Sequence, residues 1–255
     1  MEKILSVKNL TVTVGAKVLV DDVSFDVTQG EIVAIAGASG SGKTTIGLSI
    51  VRLLPPALGI KQGSIVFEGQ DLLKFSAEGM RQKRGARIGM VFQEPLSAFD
   101  PLFTIGQQLD EVLIAHTRTS KRHRYSQVLQ TLSDVELPDP QRVYASFPHQ
   151  LSGGMRQRAM VAQALVGGAS LIIADEPTSS LDVTLQVKIM ELFRALKSRK
   201  KVSFVLISHD LGMIARLADE VIICQEGHVV EQGTIRQVID HPQQAYTKAL
   251  VGAFQ

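Results

Sequence analysis

Three short stretches of this chain carry residue types and spacings that can do chemistry. The first is Gly37-Ala38-Ser39-Gly40-Ser41-Gly42-Lys43-Thr44. Glycines at this spacing let backbone N–H groups close round an anion without side-chain clash. A lysine and a hydroxyl residue directly after them add a cation for phosphate oxygens and an oxygen ligand for a metal. Lys43 would then reach the β- and γ-phosphates of a nucleotide, and the Thr44 hydroxyl would hold Mg²⁺. The second stretch is Leu171-Ile-Ile-Ala-Asp175-Glu176. An apolar strand that ends in acids delivers carboxylates to the carboxyl edge of a sheet, beside the phosphate loop. Asp175 would bind Mg²⁺ through water, and Glu176 would take or orient an attacking water. A pair of acids at a strand end is common by chance and gains meaning only beside a phosphate loop.

The third stretch is Leu151-Ser152-Gly153-Gly154-Met155-Arg156-Gln157-Arg158. Taken alone, Ser-Gly-Gly at a helix start is an ordinary cap. It is also an anion site, because free N–H groups, a hydroxyl and the positive end of a helix converge there. One nucleotide has no obvious need for two such sites in one chain. Two chains arranged head to tail would use both, each closing Ser152-Gly153-Gly154 over the other's γ-phosphate.

Placing these residues requires particular elements. Glu31–Ala36 is a β-branched apolar run that reads as a buried strand before the glycines, and Thr45–Leu54 has helical spacing after them. Pro55-Pro56 is expected to stop that helix. Leu5–Val14 and Val18–Val27 alternate apolar and polar residues and read as strands. Ser64–Phe67 is a short strand, Arg81–Arg87 a solvated face or loop, and Ile88–Phe92 another strand. From Thr104 to Asp134 the pattern is helical, with apolar residues at Ile105, Leu109, Val112, Leu113, Val128, Leu129 and Leu132, interrupted by the charged Ser120–Arg124. Met155–Val166 continues as a helix. Beyond it, strand-like Leu171–Ala174, Val202–Ile207 and Val221–Cys224 alternate with helical Leu185–Leu196 and Leu211–Leu217, which implies a parallel sheet with helices on its faces. Gly227 turns the chain back into His228–Glu231. The expected division is a core of about residues 1–95 and 167–240, a helical subdomain of about 96–166 and a tail of 241–255.

At 255 residues the chain can bury a sizeable core,. It is 45% hydrophobic and 20% charged, the composition of a soluble globular protein,. A net charge of +2 gives no broad footprint for nucleic acid, so no nucleic-acid partner is expected,. Cys224 is the single cysteine, which excludes a disulfide framework, a zinc knuckle or an iron–sulfur cluster held by this chain alone,. The start Met1-Glu-Lys-Ile-Leu-Ser lacks a signal peptide's apolar region, and no apolar run reaches the length of a membrane span. A cytoplasmic protein is expected, with any membrane role exercised through a partner.

The chain resembles the ATP-binding cassette family along nearly its whole length. Gly37–Thr44 is similar to the Walker A loop, Gln93 to the Q-loop, Leu151–Arg158 to the signature and Leu171–Glu176 to the Walker B strand. Ser180-Leu181-Asp182 is similar to the D-loop and His209 in Ser208-His209-Asp210 to the switch histidine. All six occur in the family's order, and the signature octapeptide is the most specific of them. The resemblance implies an α/β fold: a P-loop NTPase core with a mixed, mainly parallel sheet, an N-terminal antiparallel β subdomain and an inserted helical subdomain. It implies ATP and Mg²⁺ as cofactors, with ATP bound by Gly37, Ala38, Ser39, Gly40, Ser41, Gly42, Lys43, Thr44 and Thr45. Thr44, Gln93 and Asp175 would serve the metal, and Glu176, His209 and Gln93 the hydrolysis. Ser152, Gly153, Gly154 and Met155 would meet the ATP of a partner subunit, and Asp182 would cross the dimer interface. Outside the family's order, Gln93 would be an unremarkable strand-end polar residue and His209 a structural histidine. One departure stands out: no aromatic occupies Thr11–Val20, where many cassettes stack adenine, so a contribution of about 1–3 kcal/mol at aromatic base sites is missing from that loop.

Phe92-Gln93-Glu94-Pro95-Leu-Ser-Ala-Phe-Asp-Pro101 and the tail His241-Pro242-Gln-Gln-Ala-Tyr246-Thr247-Lys-Ala-Leu250 are similar to importers of dipeptides, oligopeptides and nickel. Ala215–Asp219 and Val230–Gly233 also fit. The end at Gln255, without the cysteine-rich segment of several peptide-type subunits, leans towards the nickel type. The expected role is the ATPase of an importer at the cytoplasmic face of the membrane. Its partners would be permease subunits, a second cassette ATPase (a different chain more than a second copy) and, indirectly, an extracytoplasmic solute-binding protein. A soluble cassette ATPase acting on nucleic acid or ribosomes would carry coiled-coil insertions, zinc cysteines or two cassettes. A nucleotide switch without turnover would not need Glu176 and His209.

Overall fold

The computed structural model describes residues 2–179 and 181–253, without the side chains of Leu96 and Ser97. Ser180, the first residue of the D-loop-like tripeptide, lies outside the described residues, as do Met1, Phe254 and Gln255. In chain order the elements are β1 (Lys3–Val14), β2 (Lys17–Thr28), β3 (Ile32–Ala36), α1 (Lys43–Val51), β4 (Leu58–Phe67), β5 (Gln70–Asp71), α2 (Ala77–Lys83) and β6 (Ile88–Val91). They continue with α3 (Pro95–Ala98), α4 (Ile105–His116), α5 (Lys121–Asp134), α6 (Pro140–Ala145), α7 (Gly153–Leu165), β7 (Leu171–Asp175) and α8 (Val183–Lys200). Last come β8 (Ser203–Ile207), α9 (Leu211–Leu217), β9 (Glu220–Gln225), β10 (His228–Thr234) and α10 (Ala245–Gly252). The chain divides into two compact units, Met1–Met80 with Lys197–Gln255, and Arg81–Leu196.

The first unit holds two groups of strands. One is an antiparallel sheet in the order β2-β1-β4-β5. Its inward residues alternate along the strands, with Val7, Leu10, Val12, Val23, Phe25, Val27, Ile65 and Phe67 buried. In the other, β3 lies parallel to both β8 and β9, and β10 folds back antiparallel on β9. Every residue of β3 and β8 is buried. That explains their continuous β-branched and apolar runs, since an alternating pattern suits a strand wet on one face. Glu226 and Gly227, at φ 48 and 87, make the two-residue turn between β9 and β10,.

The second unit pairs β6 parallel to β7, from Ile88↔Leu171 to Val91↔Ala174. Between them come α3 to α7, with Ile105, Leu109, Leu113, Val128 and Leu132 buried among the helices. A Cβ on Gly89 would stand 2.4 Å from the Ala164 carbonyl oxygen, so α7 rests directly on β6 at a glycine.

Several boundaries differ from the sequence pattern, each for a local reason. β4 begins at Leu58 and pairs with β1 along its length, Leu58 facing Val14. Gly59, Lys61, Gln62 and Gly63 hide this half from a hydrophobic pattern, and Gly63 is required where its Cβ would stand 2.8 Å from Asn9 O. Helix α1 stops ahead of the prolines. Arg52 adopts φ 53 and caps it, while its guanidinium donates to Leu72 O at 3.0 Å and Phe75 O at 2.6 Å. Of the stretch Arg81–Arg87, Arg81 and Lys83 lie in the last turn of α2 with Arg81 exposed, so it begins as a solvated helix face and not as a loop. Ser120 accepts from the N–H of His123 as the N-cap of α5, so Lys121–Arg124 forms that helix's first turn. Arg124 pairs there with Asp110 of α4 at 2.7 Å.

Candidate functional site

In the first unit the glycine-rich loop joins β3 to α1. Gly37, Gly40 and Gly42 have φ of 148°, 81° and 95°, a region that only glycine occupies without strain,. Space is also short. A Cβ on Gly37 would lie 2.1 Å from Cys224 O, and one on Gly42 would lie 3.0 Å from Leu19 O. The Lys43 ammonium folds back over the loop, donating to Gly37 O at 2.9 Å, Ala38 O at 2.8 Å and Ser41 Oγ at 3.4 Å. Lys43 is buried, whereas Thr44 beside it at the start of α1 is exposed. The loop is thus shaped by its own cation, with the first N–H groups of α1 facing out of the helix end.

His209 stands two residues beyond the end of β8, the strand next to β3. Ser208 N–H donates to Ile35 O at 3.2 Å, Asp210 N–H to Ser208 Oγ at 3.0 Å, and the Asp210 carboxylate caps α9 through Met213 N–H at 2.9 Å. The residues on both sides of the exposed histidine are therefore fixed, and the carboxyl edge of this unit gathers the phosphate loop and His209.

In the second unit the carboxyl edge of the β6–β7 pair carries Gln93, exposed beyond β6, and Asp175 and Glu176 at the end of β7. Asp175 is buried. Glu176 has φ 47, a left-handed backbone that costs a side-chain-bearing residue about 1–3 kcal/mol,. Its carbonyl accepts from Ser179 N–H at 3.3 Å and Ser179 Oγ at 3.1 Å, closing the turn that keeps it there.

Ser152, Gly153, Gly154 and Met155 form the start of α7. The Ser152 hydroxyl accepts from Met155 N–H at 3.3 Å, which leaves its own proton available to an anion,. Arg156 holds Leu151 O at 2.8 Å. A Cβ on Gly154 would stand 2.8 Å from Leu185 Cδ2, so α7 packs closely on α8 at this glycine. Asp182 accepts from Leu185 N–H at 3.0 Å as the cap of α8.

Cys224 carries no chemistry of its own. Burial, only partly opposed by the Lys43 charge, pushes its thiol up to about 12. The expected result is that iodoacetamide at about pH 8 leaves the native chain unmodified and alkylates it fully once denatured, since only the thiolate reacts. Alkylation of the native chain at the denatured rate would contradict this burial.

The sequence pattern passed over Tyr246 as a site residue. Its hydroxyl accepts from Ala38 N–H at 3.1 Å. Nothing in the local tail signals a contact that far away in the chain.

Comparisons with known proteins agree with this architecture. The family model described as ABC transporter matches residues 20–179. The dipeptide transport ATP-binding protein DppD of Bacillus subtilis is 46% identical over 258 residues, covering 99% of this chain and 77% of the relative. The oligopeptide transport ATP-binding protein OppD of the same organism is 40% identical over 256 residues, covering 98% and 72%. Among solved structures, the dimeric post-hydrolysis state of the ATP-binding cassette MJ0796 bound to ADP and Pi superposes with a TM-score of 0.79 at 29% identity. That match covers 91% of this chain and 99% of the other. A phosphate loop with three glycine-demanding positions, a strained acid after β7 and a Ser-Gly-Gly helix start occur in one chain that these relatives match almost end to end, and the chain belongs to the ABC transporter family as one of its ATP-binding, ATP-hydrolysing cassettes.

Proposed function

We propose that this chain is the ATPase subunit of a peptide importer, working at the cytoplasmic face of a membrane through a permease. The observation that carries this reading is its 46% identity, along 99% of its length, to a dipeptide transport subunit. The two relatives named above are peptide-transport proteins, which favours peptide over nickel as the solute. Among the described residues no helix is long and apolar enough to cross a membrane.

The phosphate loop from Gly37 to Thr45 binds the nucleotide phosphates, with Lys43 as their cation. Hard oxygen donors, the exposed Thr44 hydroxyl and the Asp175 carboxylate, suit Mg²⁺, which takes few protein ligands and keeps phosphate and water for the rest,. When bound, Mg²⁺ neutralises charge developing on the phosphates. Glu176 orients the attacking water and takes its proton, His209 steadies the γ-phosphate, and Gln93 reports the site's state to the permease. Ser152, Gly153, Gly154 and Met155 serve the ATP of a second cassette, most naturally a related but different chain, and Asp182 lies at that shared boundary. The capping geometry of Ser152 supports this role, because the hydroxyl can accept from Met155 N–H and donate to a phosphate at once,.

Reconstitution with the permease and a binding protein tests the proposal. ATP turnover should rise when the binding protein carries peptide; stimulation by a nickel chelate and not by peptide would replace the solute, and no stimulation by any permease would end the importer reading. The sandwich has its own test. Beside its partner cassette, Ser152→Arg in this chain should abolish ATP hydrolysis at the partner's nucleotide site and spare ATP binding by this chain's own phosphate loop. Loss confined to this chain's own site, with the partner's site unaffected, would exclude a trans role.

A further inference from the structure

The Ala38 N–H that meets the Tyr246 hydroxyl belongs to the Gly37–Ala38 peptide, and the two residues stand 208 positions apart within one compact unit. The carbonyl of the same peptide, Gly37 O, accepts from the Lys43 ammonium at 2.9 Å. One rigid plane therefore carries Tyr246 on one edge and Lys43 on the other. Gly37, at φ 148, does not itself fix how that plane is turned,.

The tail that brings Tyr246 here is fastened. The Glu231 carboxylate on β10 accepts from Gln243 N–H at 2.8 Å and from Gln244 N–H at 3.1 Å, just before α10. Burial alone would raise the Glu231 pKa. Those two N–H groups and the Lys248 charge outweigh it and hold the carboxyl below its ordinary value. Thr247, one residue past the tyrosine, is fully buried.

We propose that Tyr246 is a positioning residue for the phosphate site: its hydroxyl sets the Gly37–Ala38 peptide, and that peptide's carbonyl sets Lys43. The inference rests on Lys43 being the phosphate cation. It makes the tail helix part of the nucleotide site, so that whatever lifts α10 also loosens ATP. The loop and its lysine are held ready before nucleotide arrives, and binding then does not have to order them.

Tyr246→Phe removes one hydroxyl and keeps the ring. In the full chain with its partners, the KM for ATP and the equilibrium Kd for ATP and ADP should rise about fivefold, the size of one lost hydrogen bond. The kcat should stay within about twofold, because the hydroxyl touches no reacting atom, and the nucleotide-free unfolding midpoint should fall by no more than one hydrogen bond accounts for,. Glu231→Gln should raise the same Kd in the same direction by unseating the tail. An unchanged Kd in Tyr246→Phe, or loss of the cooperative nucleotide-free unfolding transition altogether, overturns the proposal. Lys43→Ala in the same assay separates the two ideas: if it loses ATP and Tyr246→Phe does not, only the tyrosine's role fails. If Lys43→Ala binds normally, the phosphate-cation reading fails first.

Discussion

Glu176→Gln is expected to stop turnover while ATP stays bound, lowering kcat by about 10²–10⁴-fold, the range of a lost general base. The substitution is nearly isosteric and keeps the residue's left-handed backbone at φ 47, so the turn closed by Ser179 should survive. The amide can still hold a water but cannot take its proton. With hydrolysis blocked, the closed pair of cassettes has no route to its ADP form, so Mg-ATP should drive the chain and its partner cassette into a stable dimer. Size-exclusion chromatography with and without Mg-ATP, beside a turnover assay, reads both. A monomer at saturating Mg-ATP, even with the natural partner chain present, would count against the sandwich. Turnover within a few-fold of wild type would move the base to another residue.

Lys43→Ala is expected to weaken ATP by at least about a hundredfold, because it removes charge-assisted bonds to phosphate, each worth about 1.5–3 kcal/mol. The loss has a second source in the structure. Without the ammonium, Gly37 O and Ala38 O lose the donor that now lies 2.9 and 2.8 Å away, and the loop loses the group that gathers its carbonyls inward. Lys43→Arg should not rescue binding, since a planar guanidinium on a buried stem does not reproduce a compact ammonium among those acceptors,. Isothermal titration with ATP and ADP gives the result directly. Affinity in Lys43→Ala within a few-fold of wild type would remove Lys43 from the site.

Much of the chain is legible without coordinates because its chemistry is local. A phosphate loop works through neighbouring backbone groups, so its glycines, lysine and threonine must be contiguous, and the strand before it and the helix after it declare themselves by their own periodicity. The same is true of the acids at the end of β7, the Ser-Gly-Gly start of α7 and the α9 segment Leu211–Leu217, whose observed bounds coincide with its apolar pattern. The sequence pattern misleads where the deciding partner lies elsewhere in the chain. The glycine-rich half of β4 is a strand because β1 supplies its hydrogen bonds, and Arg52 ends α1 because distant carbonyls receive its guanidinium.

The family, the order of the motifs and the residues proposed for phosphate chemistry can all be read from residue types and short spacings. Tertiary structure alone decided why Gly37 tolerates no side chain beside Cys224, that Glu176 is held in a strained backbone, and that Tyr246 reaches the phosphate loop from the other end of the chain. The reason is one of range: residue types and short spacings encode contacts within a few positions, whereas close approaches between distant segments exist only once the core has packed them together.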